Sequence, residues 1–153
     1  MKWKKPPRIK IYEALGSVAD KRIEILGNTA KVYSSSGNKF YEVSFDGERN
    51  AIMANDNGSY WHGYLGYPAI AFLFKVGLLE LKPDIANLLA GIKWKDLNQK
   101  FKNDFDKTLE YIGESFDAAE KNIILSYVEE IEQKIVELDL NLLGDKTMPP
   151  RGY

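Results

Sequence analysis

The alternation of apolar and polar positions predicts short strands in the first third of the chain. Ile23 and Ile25 alternate with polar residues, and similar short runs follow before residue 55. Turn-forming residues separate these runs, which cover 22–26, 29–34, 39–45 and 51–54. Successive side chains of a strand point to opposite faces, so alternation gives each strand one apolar face. Connections this short favour an antiparallel meander of about four strands.

Apolar residues three and four positions apart predict helices on both sides of the strands. Ile11, Leu15 and Val18 give one apolar face to a helix over about 8–20. After the strands, Pro68 precedes the nearly all-apolar run Ala69–Phe74. Proline suits the first turn of a helix, and a helix that is apolar all round belongs in a core. We expect this helix to cover the apolar face of the sheet.

The second half of the chain has a helical pattern throughout. A short helix is expected from Pro83 to about Ala90, and apolar positions then recur every three or four residues from Trp94 to Ile112. A further series forms a short heptad seam at Ile124, Val128, Ile131, Ile135 and Leu138. So short a seam favours an antiparallel helical hairpin within the chain. The sequence therefore predicts an α+β fold with an N-terminal helix, an antiparallel meander, a buried helix on the sheet and a C-terminal helical hairpin.

These elements divide the chain into four stretches. Residues 1–7 are expected to form a flexible arm, with Trp3 as the residue that pins it to the body. Residues 8–92 form the α+β part, and residues 93–142 form the helical hairpin packed on it. Residues 143–153 are expected to be an irregular tail. No linker-like composition separates these stretches, so they are treated as one domain.

Composition limits the chemistry and the location that we expect. The 153 residues include no cysteine and one histidine, so disulfides, thiolate metal sites and most zinc chemistry are excluded. We therefore expect no metal site and no cofactor. No apolar run approaches the roughly 20 residues of a membrane span, and the N-terminus lacks the apolar segment of a secretory signal. These features predict a cytoplasmic protein with no membrane partner.

Candidate chemistry is concentrated in the loop between the last predicted strand and Pro68. The candidate binding residues are Asn55, Asp56, Tyr60, Trp61, His62 and Tyr64. Asp56 and His62 could pair across a tight turn at Asn57-Gly58, which would raise the basicity of the imidazole. No serine or threonine is convincingly placed as a nucleophile, Ser59 being merely nearby. A structural or surface histidine is therefore favoured, and no catalytic residue is assigned.

The aromatic residues of this loop allow two interpretations. Tyr60, Trp61, Tyr64 and Tyr67 could stack on the bases of single-stranded nucleic acid. Alternatively, Trp61 and Tyr64 could fill the join between sheet and helix. The net charge of −1 lacks the basic excess of a general nucleic-acid binder. We therefore expect Trp61 to be packed and His62 to have little functional effect.

The order of short strands, loop and the segment 66–73 resembles the SWIM module. In that family a strand carries Cys-x-Cys and a helix begins with Cys-x-His. Here those ligand positions fall on Ile52 and Ala54, and on Ala69 and Ala71, all of which are apolar. The resemblance covers roughly residues 22–78. It implies a zinc-free relative that binds DNA or protein, with the former metal site turned into core.

The sequence as a whole predicts a non-enzymatic interaction domain that contacts protein or nucleic acid through the 55–67 loop. Expected partners are another protein, or a second copy bound through helices 93–142 to give a dimer; nucleic acid is not favoured. The alternative is a small hydrolase-type enzyme that uses Asp56 and His62. The enzyme would require His62 for its catalytic activity, whereas the interaction domain would not.

Overall fold

A computed structural model describes residues 1–151 of the chain, and the last two residues of the tail predicted as irregular lie outside the described residues. An N-terminal helix is followed by four strands, a helical segment and a short final strand, which confirms the α+β class. The elements are α1 (Ile9–Ala19), β1 (Ile23–Leu26), β2 (Thr29–Tyr33), β3 (Phe40–Asp46), β4 (Ala51–Ala54), α2 (Tyr67–Lys75), α3 (Pro83–Asn87), α4 (Trp94–Lys100), α5 (Phe105–Gly113), α6 (Ala118–Leu138) and β5 (Asn141–Leu142).

The sheet has the strand order β1-β2-β3-β4-β5. Its first four strands pair antiparallel with their sequence neighbours, which confirms the predicted meander. Strand β5 then pairs parallel to β4, with Ile52 opposite Leu142. The sequence did not predict β5, because a two-residue strand is too short to show alternation.

Helix α2 is the buried helix that the sequence predicted. Every residue from Pro68 to Phe74 is buried. Pro68 lies in the first turn, where its missing N–H leaves no hydrogen bond unmade. The helix lies on the sheet, with the ring of Phe72 5.7 Å from that of Phe45, and α1 packs against its other side. The core therefore has α2 at its centre.

The segment expected to be a flexible arm has hydrogen-bond partners on two sides. The backbone N–H of Trp3 donates to Leu140 O at 3.2 Å, and its indole Nε1 donates to Ile52 O at 2.8 Å. Lys4 N donates to Gly63 O at 3.0 Å. Trp3 thus connects the N-terminal segment to β4, in the position expected of an anchor.

The helical stripe predicted from Trp94 to Ile112 is two helices, α4 and α5, and not one. Lys102 and Asn103 between them have positive φ angles of 54° and 61°, which are incompatible with a continuing α-helix. Asp104 then caps α5 by accepting a hydrogen bond from Lys107 N. The C-terminal part therefore contains three helices where the sequence predicted a two-helix hairpin.

The heptad seam of α6 faces the protein interior. Ile124, Val128, Ile131 and Ile135 are buried. The helix packs on α1, and Arg8 Nη2 forms an ion pair with Glu132 Oε1 at 2.8 Å. The heptad seam of α6 is therefore buried inside the protein, and α6 packs on the N-terminal helix.

Candidate functional site

A pocket of about 510 Å³ lies beside the loop that joins β4 to α2. Its lining comes from α1, the turn before β1, the residues that follow β2, strand β3, the 55–67 loop, the start of α2, α4, the α4–α5 connection and the start of α5. The aromatic residues of the lining are Tyr41, Tyr64, Tyr67, Trp94 and Phe105. Its charged, amide and imidazole side chains are those of Lys10, Glu13, Arg22, Asp56, Asn57, His62, Lys95, Asn98, Gln99 and Asn103. Small-molecule sites in proteins commonly have volumes of about 300–1,000 Å³. This pocket is the candidate site.

A buried carboxylate joins α1 to α4 in the pocket lining. Glu13 is 3% exposed. Its Oε2 lies 2.9 Å from Lys10 Nζ, and its Oε1 accepts a hydrogen bond from Asn98 Nδ2 at 2.7 Å. A buried charge is costly unless it is paired and hydrogen-bonded, and Glu13 has both kinds of partner. The three side chains therefore hold one another in place.

Lys10 keeps its positive charge in this environment. Burial is the largest single influence on the pKa of Lys10 and acts to lower it, but the charge of Glu13, the hydrogen bond to Glu13 and the charges of Tyr64 and Asp56 together outweigh burial. The net effect raises the pKa of the ammonium above its ordinary value. Lys10 is thus a cation at neutral pH, and Glu13 is its counter-ion.

Asp56 is buried at the start of the 55–67 loop, and its carboxylate accepts hydrogen bonds that fix the conformation of the loop. Ser59 donates two hydrogen bonds to the carboxylate, from Oγ to Oδ1 at 2.6 Å and from its backbone N to Oδ2 at 3.2 Å. Gly66 N donates in turn to Ser59 Oγ at 3.4 Å. Burial raises the pKa of Asp56, although the Ser59 hydrogen bonds and the charge of Lys10 act in the opposite direction. Asp56 therefore positions the wall of the pocket.

The proposed pair of Asp56 and His62 does not form in the structure. Within residues 1–151, no hydrogen bond or ion pair joins these two side chains. The His62 ring is exposed and stacks on Tyr64, with centroids 5.7 Å apart and planes inclined by 6°. The carboxylate is directed to Ser59, so the imidazole lacks the orienting partner that the sequence suggested.

The Asn57-Gly58 turn also differs from the one predicted. Asn57 has right-handed helical angles of φ −58° and ψ −43°, and the chain continues into a single turn of π-helix, Gly58–His62. The left-handed residue is Gly63, with φ 72°. Gly58 serves a different purpose, because a Cβ at this position would overlap the ring of Tyr64. Position 58 therefore requires glycine because the Tyr64 ring approaches the backbone closely, and not because the backbone has a positive φ.

Only some of the candidate binding residues reach the pocket. Asp56, His62 and Tyr64 line it, whereas Asn55, Tyr60 and Trp61 do not. Asn55 Oδ1 accepts a hydrogen bond from Glu42 N at 2.8 Å and so serves the sheet.

Trp61 is 65% exposed, so the expectation that it packs between sheet and helix is wrong. Its ring meets Tyr60 edge to face, with centroids 4.7 Å apart. The π-helical turn Gly58–His62 places the indole on the surface.

The sequence did not indicate the pocket residues outside the loop. Glu13 offers the clearest missed signal, since it lies four residues after Ile9 and four before Ser17 on the buried face of α1. A carboxylate on such a face requires a partner. Asn98 and Tyr41 come from distant parts of the chain and gave no local pattern.

Two buried polar atoms of α4 lack hydrogen-bond partners in the described part of the chain. They are Nε1 of Trp94 and Oδ1 of Asn98. The indole nitrogen lies against Gly16, whose missing side chain leaves room for it. Asn98 is a residue of the pocket lining, and the nitrogen of its amide, Nδ2, donates a hydrogen bond to Glu13. An unpaired buried acceptor costs about 1–3 kcal/mol.

Neither a metal cluster nor a membrane helix is found in the described residues. No group of three or more histidine, aspartate or glutamate side chains there is arranged to hold a metal ion. Across residues 1–151, no helix has both the length and the apolar character that a bilayer crossing needs.

The fold and the pocket together define an α+β protein with a five-stranded sheet and a polar, aromatic-walled cavity. Residues 3–141 match the model of the family described as uncharacterised conserved protein UCP014422, and the chain belongs to that family. No curated protein and no solved structure gives a significant match to the chain.

Proposed function

We propose that this protein is a non-enzymatic binding domain whose ligand site is the pocket beside the 55–67 loop. The observation that carries this proposal is a cavity of about 510 Å³ whose lining includes the buried polar side chains of Glu13 and Asn98. Aromatic walls with a few buried polar groups are typical of small-molecule sites. The loop expected to contact a partner then forms one wall of the site, through Asp56, His62 and Tyr64.

Binding is favoured over catalysis because the acidic and basic groups already have partners. Asp56 accepts from Ser59, and Glu13 is held by Lys10 and Asn98. A general base needs a free hydrogen-bond position toward the substrate. The hydrolase that would use Asp56 and His62 stays a prediction, with the ring of His62 stacked on Tyr64 and no contact between the two residues to support it.

The macromolecular partners expected from the sequence also stay predictions. The exposed Trp61 supports a surface contact with protein or nucleic acid, and the exposed Val136 on α6 supports self-association through helices 93–142. The SWIM-like relationship and a cytoplasmic location are likewise untested. For the former, the positions of the SWIM ligands are all buried in the core: Ile52, Ala54, Ala69 and Ala71.

A fragment screen by protein-observed NMR tests the proposal. Small polar aromatic fragments should shift the indole signal of Trp94 and the side-chain amide signal of Asn98, because both residues line the pocket. Signals of the exposed Trp61 indole provide an internal comparison outside the pocket.

A matched pair of variants on α4 then locates the binding site. Gln99 is an exposed residue of the pocket lining, whereas Asp96 is exposed on the same helix outside that lining. Gln99→Trp should weaken fragment binding about tenfold or more by filling the entrance, an effect of about 1.4 kcal/mol. Asp96→Trp should leave binding unchanged. If no fragment shifts the pocket signals, or if both variants act alike, the proposal is wrong.

A further inference from the structure

An exposed aromatic pair lies in the 55–67 loop but outside the pocket lining. Trp61 is 65% exposed, and its ring meets Tyr60 edge to face with centroids 4.7 Å apart. An edge-to-face contact covers at most one face of the indole. The large exposed fraction of Trp61 therefore leaves flat ring surface open to solvent.

The backbone beneath this pair is held in place, so the rings stand on a rigid support. Tyr60 N donates to Asp56 O at 3.0 Å, and the Asp56 carboxylate accepts from Ser59 Oγ at 2.6 Å. Gly63, at the end of the turn, accepts a hydrogen bond from the N-terminal segment. A contact residue on a fixed backbone loses less conformational entropy when a partner binds.

Three lysines from the two ends of the chain lie beside the aromatic pair. Lys146 Nζ donates to Tyr60 O at 3.3 Å. Lys4 N donates to Gly63 O at 3.0 Å, and Lys5 follows directly. All three lysine residues are exposed. We refer to Lys4, Lys5, Tyr60, Trp61 and Lys146 together as the Trp61 surface.

The Trp61 surface has a local excess of positive charge, although the whole chain has a net charge of −1. Within residues 1–151, no ion pair joins any of its three lysines to a carboxylate. The neighbouring Lys2 is different, because it pairs with Asp139 at 3.0 Å. The closest carboxylates along the chain are Asp145, which is exposed, and Asp56, which is buried. The three lysines therefore face one carboxylate at the solvent-exposed side.

Flat rings beside exposed cations match the chemistry of single-stranded nucleic acid. Its bases offer faces for stacking and its phosphates offer negative charge, and proteins bind it by combining the two contacts. A bilayer fits less well, because binding to a membrane surface scales with the apolar area that is buried. In the 55–67 loop, all of which the structure describes, Trp61 is the one large hydrophobic side chain that is exposed. An acidic protein segment would pair with the lysines and leave the indole face unused.

We propose that the Trp61 surface binds single-stranded nucleic acid, with a base stacked on the indole of Trp61 and phosphates bound by the three lysines. This site is separate from the proposed ligand pocket, whose lining contains none of the five residues of the Trp61 surface. The contacts are to base faces and phosphates, so binding has little sequence preference and weakens as salt is added.

Fluorescence anisotropy with two labelled oligonucleotides tests the proposal. One is a single-stranded thymidine oligonucleotide of about ten nucleotides, and the other is an abasic strand of the same length, both in about 50 mM salt. The wild-type protein should bind the strand with bases about tenfold more tightly, because only that strand can stack on Trp61. Equal binding of the two strands would show that the lysines act alone and would overturn the proposal.

Variants of exposed aromatic residues then test the stacking contact. Trp61→Ala should weaken binding of the thymidine strand about tenfold, and Trp61→Phe, which keeps a flat ring, should retain most of the affinity. Tyr111→Ala is the matched control, because Tyr111 is a 43% exposed aromatic residue on α5, away from the Trp61 surface. Equal losses in Trp61→Ala and Tyr111→Ala would refute the proposed site.

The salt dependence of binding tests the lysines. In the double variant Lys4→Gln, Lys146→Gln, the slope of log affinity against log salt should become shallower by about 1.4, since each phosphate contact to a single strand contributes about 0.7. Lys134→Gln, at an exposed position of α6, should leave the slope unchanged. An unchanged slope in the double variant would contradict the phosphate contacts. If the protein binds vesicles of anionic phospholipid through Trp61 and does not bind the oligonucleotide, the surface contacts membranes and the proposal is wrong.

Discussion

Gly66 packs so closely on the carboxylate of Asp56 that a methyl group at position 66 would overlap it. The same carboxylate accepts two hydrogen bonds from Ser59 on the other side of the loop. The entry to α2 and the start of the loop are thereby held against each other. This contact fixes the pocket wall without any participation of His62.

Gly66→Ala should destabilise the protein by about 1–3 kcal/mol, the usual cost of inserting a methyl group into a packed site. Gly66 has φ −78° and ψ 170°, which alanine adopts freely, so the loss would come from overlap with Asp56. Urea denaturation measures the change. Gly47→Ala is the control, because a Cβ there would meet Phe45 at an ordinary 3.4 Å. Equal effects at the two positions would contradict this account.

Trp61→Ala should leave the free energy of unfolding within about 0.5 kcal/mol of the wild-type value, as is usual for surface positions. The Trp61 side chain is 65% exposed. Trp94→Ala should cost about 3–5 kcal/mol, because Trp94 is 3% exposed and its loss leaves a cavity. Thermal or chemical unfolding of the two variants compares them directly. A strongly destabilised Trp61→Ala protein would show that the indole is packed after all.

Ile131→Ala should destabilise the protein by about 2–5 kcal/mol, since it removes a buried side chain from the seam of α6. Val136→Ala on the same helix should have an effect of less than about 0.5 kcal/mol, because Val136 is 53% exposed. Denaturant midpoints at several protein concentrations measure both. If Val136→Ala proves costly and its effect depends on concentration, the exposed face of α6 is covered by a second copy.

The stability of the wild-type protein relative to Asp56→Asn should decrease as the pH rises. Burial raises the pKa of Asp56, so the folded protein holds this proton more tightly than the unfolded chain does. The contribution of Asp56 to stability is therefore fully present below the unfolded pKa, and it is lost as the pH rises from the unfolded pKa through the folded pKa. Unfolding free energies from about pH 4 to 7 measure the difference. A difference that grows with pH would contradict the raised pKa.

Much of the fold follows from local sequence patterns. Alternation predicted strands β1 to β4, and Pro68 with its apolar run predicted α2. The break between α4 and α5 was missed because Phe101 and Phe105 keep helical spacing across it. Apolar spacing reports which side of the chain faces the core, and it does not report positive φ angles at Lys102 and Asn103.

The site was only partly predictable from the sequence. The loop with Asp56 and Tyr64 was recognised from its composition, but its geometry depends on a carboxylate that accepts from Ser59 and packs on Gly66. The remaining lining comes from α1, β3 and α4, which tertiary folding brings together. The pairing of Glu13 with Asn98 spans a large part of the sequence and leaves no periodic signal in either helix.

The parallel pairing of β5 with β4 has a consequence for the order of folding. Strands β1 to β4 are joined by short turns, whereas Ile52 and Leu142 meet only after the intervening helices have been brought into place. Loop-closure entropy delays contacts between distant residues. In pulse-labelled hydrogen exchange, the amide of Leu143, which donates to Ile52 O at 3.1 Å, should become protected later than those of β2 and β3. The edge of β4, the strand that leads into the pocket loop, would then be the last part of the sheet to close during refolding.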